Sequence, residues 1–172
     1  MKRQSKLLGL LGILLISFWL SSCCNSFYPS LKPATIVRNE NLDSFTYLYI
    51  TSTNSLTSSS GQLIGGQIYS YTKSVNPSDL IKGILSKRGL VILPELKPEL
   101  TKETLIVNYG ESGRRKTGIF GGYTIEVTIQ FISAKTNSII CSCTAEGQGS
   151  TEADDIRQAI TRCLEGFVEK EN

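Results

Sequence analysis

The spacing of apolar residues along the chain changes from segment to segment and predicts its elements. Over residues 123–131 apolar and polar side chains alternate, which predicts a strand with one face on a core and one in water. The same alternation runs through 139–146 after the polar turn 135–138, so the two segments predict an antiparallel hairpin. Shorter runs of β-forming residues predict further strands at 45–50, 90–93 and 104–109.

Two segments have helical spacing instead. Asn76 followed by Pro77 predicts a helix start, because Asn caps a helix and proline fits its first turn, and Gly89 predicts the end. A second helix is predicted after Ser150 or Thr151. Its apolar stripe is Ile156, Ala159, Ile160, Cys163, Leu164 and Phe167, while Asp154, Asp155, Arg157, Gln158 and Arg162 are expected to face outward. The element order predicts an α+β fold: a two-layer sandwich with a mainly antiparallel sheet and two helices packed on one face.

Residues 51–75 do not fit either period clearly. They are rich in Ser, Thr and Gly, and Tyr69 and Tyr71 alternate with Ser70 and Thr72. A structureless segment of this length is unusual inside a compact domain. The segment is therefore interpreted either as a mobile loop or as an additional hairpin.

The N-terminus has the pattern of a bacterial export signal. Lys2, Arg3 and Lys6 precede an apolar run of 14 residues, 7–20, which is too short to span a membrane as a helix. The run ends in Leu-Ser-Ser-Cys, which resembles the lipobox of bacterial lipoproteins and implies a lipidated Cys23. We therefore predict a signal peptide at 1–22, the lipidated Cys23 with a flexible tether over 23–44, and one α+β domain over 45–172.

The charge of the chain belongs largely to this leader. The whole sequence has 18 basic and 15 acidic residues, and loss of the three basic leader residues leaves 15 of each. A neutral mature chain argues against a nucleic-acid partner, which requires a basic surplus. Residue 24 is Cys rather than the Asp that resembles an inner-membrane retention signal, and no acidic cluster follows Cys23. The expected location is the periplasmic face of the outer membrane, with membrane lipid contacted through acylated Cys23.

Segment 110–122 is the best candidate for a binding loop. It holds five glycines, the positive charges of Arg114, Arg115 and Lys116, and an apolar tip at Ile119 and Phe120. Such a loop suits an anionic headgroup or a protein partner, and the alternative is a solvated hairpin connection.

The cysteines allow one disulfide in the domain. Cys141 and Cys143 lie on the same strand face, where residues two apart are poorly placed to bond each other. Either could instead meet Cys163 on the helix that covers this face, and the pair Cys143 with Cys163 is one of the two choices. The alternative is that all three are buried free thiols.

The element order, together with the lipobox, is similar to that of uncharacterised periplasmic lipoproteins of the DUF4136 type, and more loosely to auxiliary lipoproteins of envelope transport systems. The resemblance covers roughly residues 45–168. It implies a small two-layer fold and an accessory role, and it implies no catalytic residues.

These features predict a non-enzymatic protein with no cofactor and no metal. The chain has no His, which excludes the Ser-His-Asp template, and its carboxylates are interpreted as a helix-dipole pair at Asp154 and Asp155 and as solvent-facing Glu126 and Glu146. The predicted function is a lipid-anchored periplasmic accessory or adaptor domain with an envelope protein partner. The alternative is a lipoprotein that binds a small ligand or glycan through the 51–75 and 110–122 segments.

Overall fold

A computed structural model describes residues 30–87, 89–117 and 122–168, apart from the side chains of residues 62, 64 and 166–168. The predicted signal peptide, the predicted lipidation site Cys23 and the predicted loop residue Phe120 lie outside the described residues.

The described chain forms eight strands, two α-helices and one 3-10 helix, the last over Pro98–Glu103. The helices are α1 (Pro77–Ser86) and α2 (Glu152–Val168). The strands are β1 (Thr35–Arg38), β2 (Tyr47–Ile50), β3 (Leu56–Ile64), β4 (Gln67–Val75), β5 (Val91–Leu93), β6 (Thr104–Thr117), β7 (Gly122–Ser133) and β8 (Ile139–Gly147).

Six strands form the main sheet in the order β1-β8-β7-β6-β2-β5, and β3 pairs with β4 in a separate two-stranded sheet. The β1–β8, β8–β7 and β7–β6 pairs are antiparallel. The β6–β2 and β2–β5 pairs are parallel, because α1 carries the chain from β2 across the sheet to β5. The predicted α+β fold is confirmed, and the parallel end makes its sheet mixed.

Both helices cover one face of this sheet and enclose the core. Ile81 and Leu85 of α1 pack into the same cluster as the described apolar residues of α2, namely Ile156, Ala159, Ile160, Cys163 and Leu164. The sheet contributes alternate residues of its central strands to this cluster, including Ile125, Val127, Ile129, Phe131, Cys141 and Cys143. The opposite face of the central strands is polar, and there the Thr128 and Thr144 hydroxyls lie 2.8 Å apart.

The predicted helix starts are confirmed. The Asn76 side chain accepts the Asp79 N–H at 3.4 Å, and Pro77 is the first residue of α1. Of the two candidates at the second helix, Thr151 is the cap, since its hydroxyl accepts the Asp154 N–H at 3.2 Å. Gly89 has φ +81°, a value that glycine adopts without strain.

The predicted tether over 23–44 is wrong for residues 35–38, which form β1. Ile36 lies opposite Cys143 and Arg38 opposite Cys141, so β1 pairs with the outer edge of β8. The strand satisfies backbone groups of β8 that would otherwise be an open edge. The folded unit therefore includes residues on the N-terminal side of Phe45.

Segment 51–75 is a hairpin rather than a loop, as one of the two interpretations predicted. Strands β3 and β4 pair from Leu56 opposite Val75 to Ile64 opposite Gln67. The turn is Gly65 and Gly66, whose φ values of +58° and +82° suit a two-residue hairpin turn. Within the part of the chain that the structure describes, no helix has the length and apolarity needed to cross a membrane.

Candidate functional site

The predicted flexible loop over 110–122 is wrong for residues 110–117, which belong to β6. This half of β6 pairs with β7 from Gly110 opposite Thr128 to Thr117 opposite Gly122, with a bulge between Glu111 and Gly113. The sequence suggested a loop because glycines and charges replace the apolar alternation. In the structure, ion pairs on both faces of the strand take the place of apolar packing.

Arg115 is ion-paired with the buried carboxylate of Glu146. Its Nε lies 2.9 Å from Glu146 Oε1 and its second guanidinium nitrogen 2.6 Å from Oε2, a two-point pairing. Lys32 Nζ lies 3.3 Å from Oε1, and the Lys32 N–H donates to Oε2 at 3.1 Å. The hydrogen bonds from Arg115 are the main reason why the pKa of Glu146 falls to about 2. Glu146 was expected in solvent, but it is 2% exposed because Arg115 and the Lys32 segment cover it.

Arg114 points to the other face of the strand. It is ion-paired with Glu152 at the start of α2 and lies 3.6 Å from a carboxylate oxygen of Glu111. Its guanidinium carbon stands 5.4 Å from the centre of the Tyr123 ring, within the range of a cation–π contact. Lys116 is exposed. The three cations therefore do not form one binding surface, because Arg114 and Arg115 serve intramolecular pairs on opposite faces.

A cleft lies where the β3–β4 hairpin, the start of β7 and the start of α2 meet. Its volume is about 560 Å³. The hairpin contributes Ser60, Gly61 and Tyr71, and the β7 start contributes Gly122 and Tyr123. The remaining lining residues are Gln148, Gly149, Ser150, Thr151, Glu152 and Asp155. Segments 51–75 and 110–122, predicted as the alternative ligand site, thus both reach this cleft.

Asp155 is the buried carboxylate of this cleft. It is 4% exposed, and burial is the main cause that raises its pKa from 3.8 to about 6. Its Oδ1 accepts the Gly149 N–H, and the neighbouring Asp154 and Glu152 raise the pKa further. The expected outward position of Asp155 is wrong. A signal for its burial was present, since Asp155 precedes Ala159 by four residues and so continues the apolar stripe.

Tyr71 forms the wall of the cleft on the hairpin side. Hydrogen bonds with the Ser150 and Ser60 side chains are the main causes that lower its pKa. The hairpin is held in place by α2: the Ala153 N–H donates to Ser58 Oγ at 2.9 Å, and Lys73 Nζ lies 2.8 Å from an Asp154 carboxylate oxygen. The hydrogen bonds from Lys73 are the main cause that lowers the pKa of Asp154 to about 2.

The far end of the hairpin carries apolar side chains in water. Leu63 is 71% exposed and Ile68 78% exposed, and they lie opposite each other on the same face of the hairpin. Tyr69, on the other face, is also exposed. We call these three residues the hairpin tip. Sequence analysis did not single out Leu63 or Ile68, because the hairpin itself was one of two alternatives.

Cys143 and Cys163 are joined in a disulfide that links β8 to α2, with Cα atoms 5.6 Å apart. We call it the inter-layer disulfide. Cys141 is a buried free cysteine whose pKa is raised by burial. Of the two pairings considered, the structure therefore holds the one through Cys143. Among the described residues, no group of three or more acidic or Cys side chains could hold a metal ion.

No protein-family model and no curated protein matches the chain. Two solved structures from Paraburkholderia phytofirmans resemble it distantly. A PelC dodecamer is 13% identical over 77% of this chain and 96% of its own, with a TM-score of 0.48. A dodecamer of a single-residue PelC variant is 15% identical over 76% and 92%, with a TM-score of 0.45. Similarity at this level carries no argument about function, and the resemblance to DUF4136-type lipoproteins stays a prediction.

Proposed function

We propose that the chain is a lipid-anchored, non-enzymatic accessory domain of the bacterial envelope that docks on an envelope protein through the hairpin tip. The observation that carries this proposal is the hairpin tip itself. Two large aliphatic side chains project together into water at the end of an arm whose base is fixed to α2. Exposed apolar groups gathered in one place are typical of protein interaction sites.

The distribution of charge supports docking by apolar contact rather than by the predicted basic loop. Arg115 is occupied by the buried Glu146, and Arg114 by Glu152 and the Tyr123 ring. Neither arginine is available to a partner without breaking these contacts. The aliphatic residues of the hairpin tip differ from these arginines, since the side chains of Leu63 and Ile68 are mostly exposed to water.

The tip is tested by replacing Leu63 and Ile68 together with Ser and crosslinking the protein in its native envelope. A matched control replaces Val91 and Leu96, which are also exposed apolar residues but lie elsewhere on the domain. We expect the tip variant to lose its main crosslinked partner and the control to keep it, with equal thermal stability. Equal crosslinking of the tip variant and the wild-type protein would refute docking through the tip.

The anchor proposal rests on the leader and lipobox in the sequence. Acylated Cys23 would hold the domain firmly, since two acyl chains already give stable membrane binding. Mass spectrometry of the N-terminal peptide is expected to show Cys23 as the first residue with diacylglycerol attached. A Cys23→Ser variant should lose this mass and leave the membrane fraction. An unmodified peptide that extends past residue 22 towards Met1 would contradict the anchor.

The outer-membrane, periplasm-facing location has its own test. Protease added to intact cells should leave the domain uncut, and protease added after the outer membrane is opened should remove it. Removal of the domain from intact cells would contradict the location and leave the anchor proposal standing.

A further inference from the structure

We propose that the cleft between the hairpin, β7 and α2 binds a neutral sugar unit of a glycan, as a ligand site additional to the docking tip. The two sites are separate on the hairpin. Ser60 and Tyr71, which line the cleft, pair with each other midway along the hairpin, whereas Leu63 and Ile68 pair near the turn.

The charges of the cleft disfavour an anionic ligand. The described residues that line it include the carboxylates of Glu152 and Asp155, and none of them is a Lys or an Arg. Arg114 contacts two of the lining residues, but it is already ion-paired with Glu152 and stacked on the Tyr123 ring. A phosphate or sulfate would therefore meet the negative charge of these carboxylates, at a cost that rises with burial.

The polar groups of the cleft fit a ligand that offers many hydroxyls. Ser60, Ser150 and Thr151 supply hydroxyls, Gln148 supplies an amide, and the two carboxylates are strong acceptors for ligand O–H groups. A sugar ring is a dense array of such donors and acceptors. An apolar ligand would use none of the hydrogen-bonding capacity that these groups have left beside their internal partners, which is unfavourable in a recessed site.

Two tyrosine rings give the cleft its apolar surface. Tyr71 stands on the hairpin wall and Tyr123 on the β7 wall. Aromatic rings combine an apolar face with a polar edge, and ligand sites commonly pair such rings with a few orienting polar groups. The C–H face of a sugar can lie against a ring while its hydroxyls meet the acceptors.

Asp155 is an independent sign that the cleft is built for a ligand. Asp155 is almost fully buried, with 4% of its surface exposed, and it lines the cleft. One oxygen accepts the Gly149 N–H, while no residue in the described ranges donates to the other. A buried acceptor that keeps one oxygen open into a cleft is suited to a ligand hydroxyl.

The test uses the full mature chain in a detergent without a sugar headgroup and saturation-transfer NMR of the ligand. The probes are neutral tetrasaccharides of β-1,4-linked N-acetylglucosamine, β-1,4-linked glucose and α-1,4-linked glucose. Inorganic phosphate and a sulfated tetrasaccharide are the anionic probes. We expect at least one neutral probe to bind with a Kd of about 1 mM or tighter, and the anionic probes not to compete.

Tyr71→Ala is the informative variant, because the hairpin keeps its other contacts with α2 through Ser58 and Lys73 when the partly exposed Tyr71 ring is removed. We expect it to weaken the bound probe at least fivefold, while Tyr69→Ala, on the same hairpin face but outside the cleft, leaves binding unchanged. No binding of any neutral probe at about 10 mM, equal binding by the two variants, or stronger binding of an anionic probe would each overturn the proposal.

The outcome is separable from that of the docking proposal. The variant that carries both Leu63→Ser and Ile68→Ser should bind the sugar as the wild-type protein does. The Tyr71→Ala variant should keep the crosslinked partner. Loss of sugar binding in the tip variant would contradict the assignment of two separate sites.

Discussion

Replacing Asp155 with Asn should change how stability depends on pH. The Asp155 side chain is almost fully buried, and burial raises its pKa in the folded protein from 3.8 to about 6. The folded protein therefore holds the proton more tightly than the unfolded chain does. The contribution of Asp155 to the free energy of unfolding is greatest where this group is protonated in both the folded and the unfolded state. That contribution falls as pH rises from about 4 through 6.

The magnitude follows from the two pKa values. Each tenfold change in proton affinity is worth about 1.4 kcal/mol, so a pKa raised from 3.8 to about 6 corresponds to at most about 3 kcal/mol at neutral pH. Because Asp155 lines a cleft that water can enter, the penalty of burying its charge is reduced, and we expect about 1.5–3 kcal/mol. Glu146 and Asp154, whose pKa values are lowered to about 2, act in the opposite sense but only below about pH 4.5.

The assay is urea unfolding at several pH values between 5 and 7.5. The free energy of unfolding of the wild-type protein should fall by about 1–2 kcal/mol over this interval, and that of Asp155→Asn should stay nearly constant. Asp79→Asn is the control, because Asp79 is an exposed residue in the first turn of α1. The same pH slope in wild type and Asp155→Asn, or a wild-type stability that rises with pH, would refute this reasoning.

Three further predictions concern the packing of α2 and β6. Gly147→Ala should lower the free energy of unfolding, measured with urea, by about 2–4 kcal/mol, because the new Cβ would lie 2.7 Å from the Ala159 backbone N and overlap the backbone of α2. The control Gly110→Ala has open space around the new Cβ and should cost less than about 1 kcal/mol. Arg115→Gln should destabilise the protein more than Arg114→Gln, because it removes the two-point pairing of the buried Glu146 and leaves that carboxylate with Lys32 alone, whereas Arg114 is half-exposed. Peptide mapping without reductant should recover the inter-layer disulfide as a linked pair, and reduction should lower stability by about 3 kcal/mol; a protein with three alkylated core thiols would contradict it.

The parts of the fold that sequence could predict are those with strong local signals. The alternation in β7 and β8 and the Asn-Pro start of α1 each determine an element without reference to distant residues. Strand β1 gives no such signal, because it has only four residues and its two apolar residues, Ile36 and Val37, are adjacent rather than alternating. It is held by pairing with β8, which is more than 100 residues away in the sequence. The second half of β6 was missed for a different reason: its glycines and charges hide the alternation, although it pairs with the neighbouring strand β7. Its arginines meet Glu146 and Glu152, which are distant in sequence.

The candidate site was harder to predict than the fold. Sequence suggested a basic loop, but alternation along β6 sends Arg114 and Arg115 to opposite faces, where each meets a carboxylate. The cleft depends on how the hairpin packs against the start of α2, and no local sequence pattern predicts that contact. Only Tyr71 and the position of Asp155 in the helix stripe were available as signals.

The central claim is that the hairpin tip contacts an envelope protein, and site-specific photo-crosslinking in living cells tests it most directly. A photoreactive residue replaces Ile68 in one strain and Val91 in another, both exposed apolar positions in the wild-type protein. We predict one discrete crosslinked protein from position 68 and none from position 91. The same diffuse pattern from both positions, or crosslinks from position 68 to lipid alone, would contradict the claim.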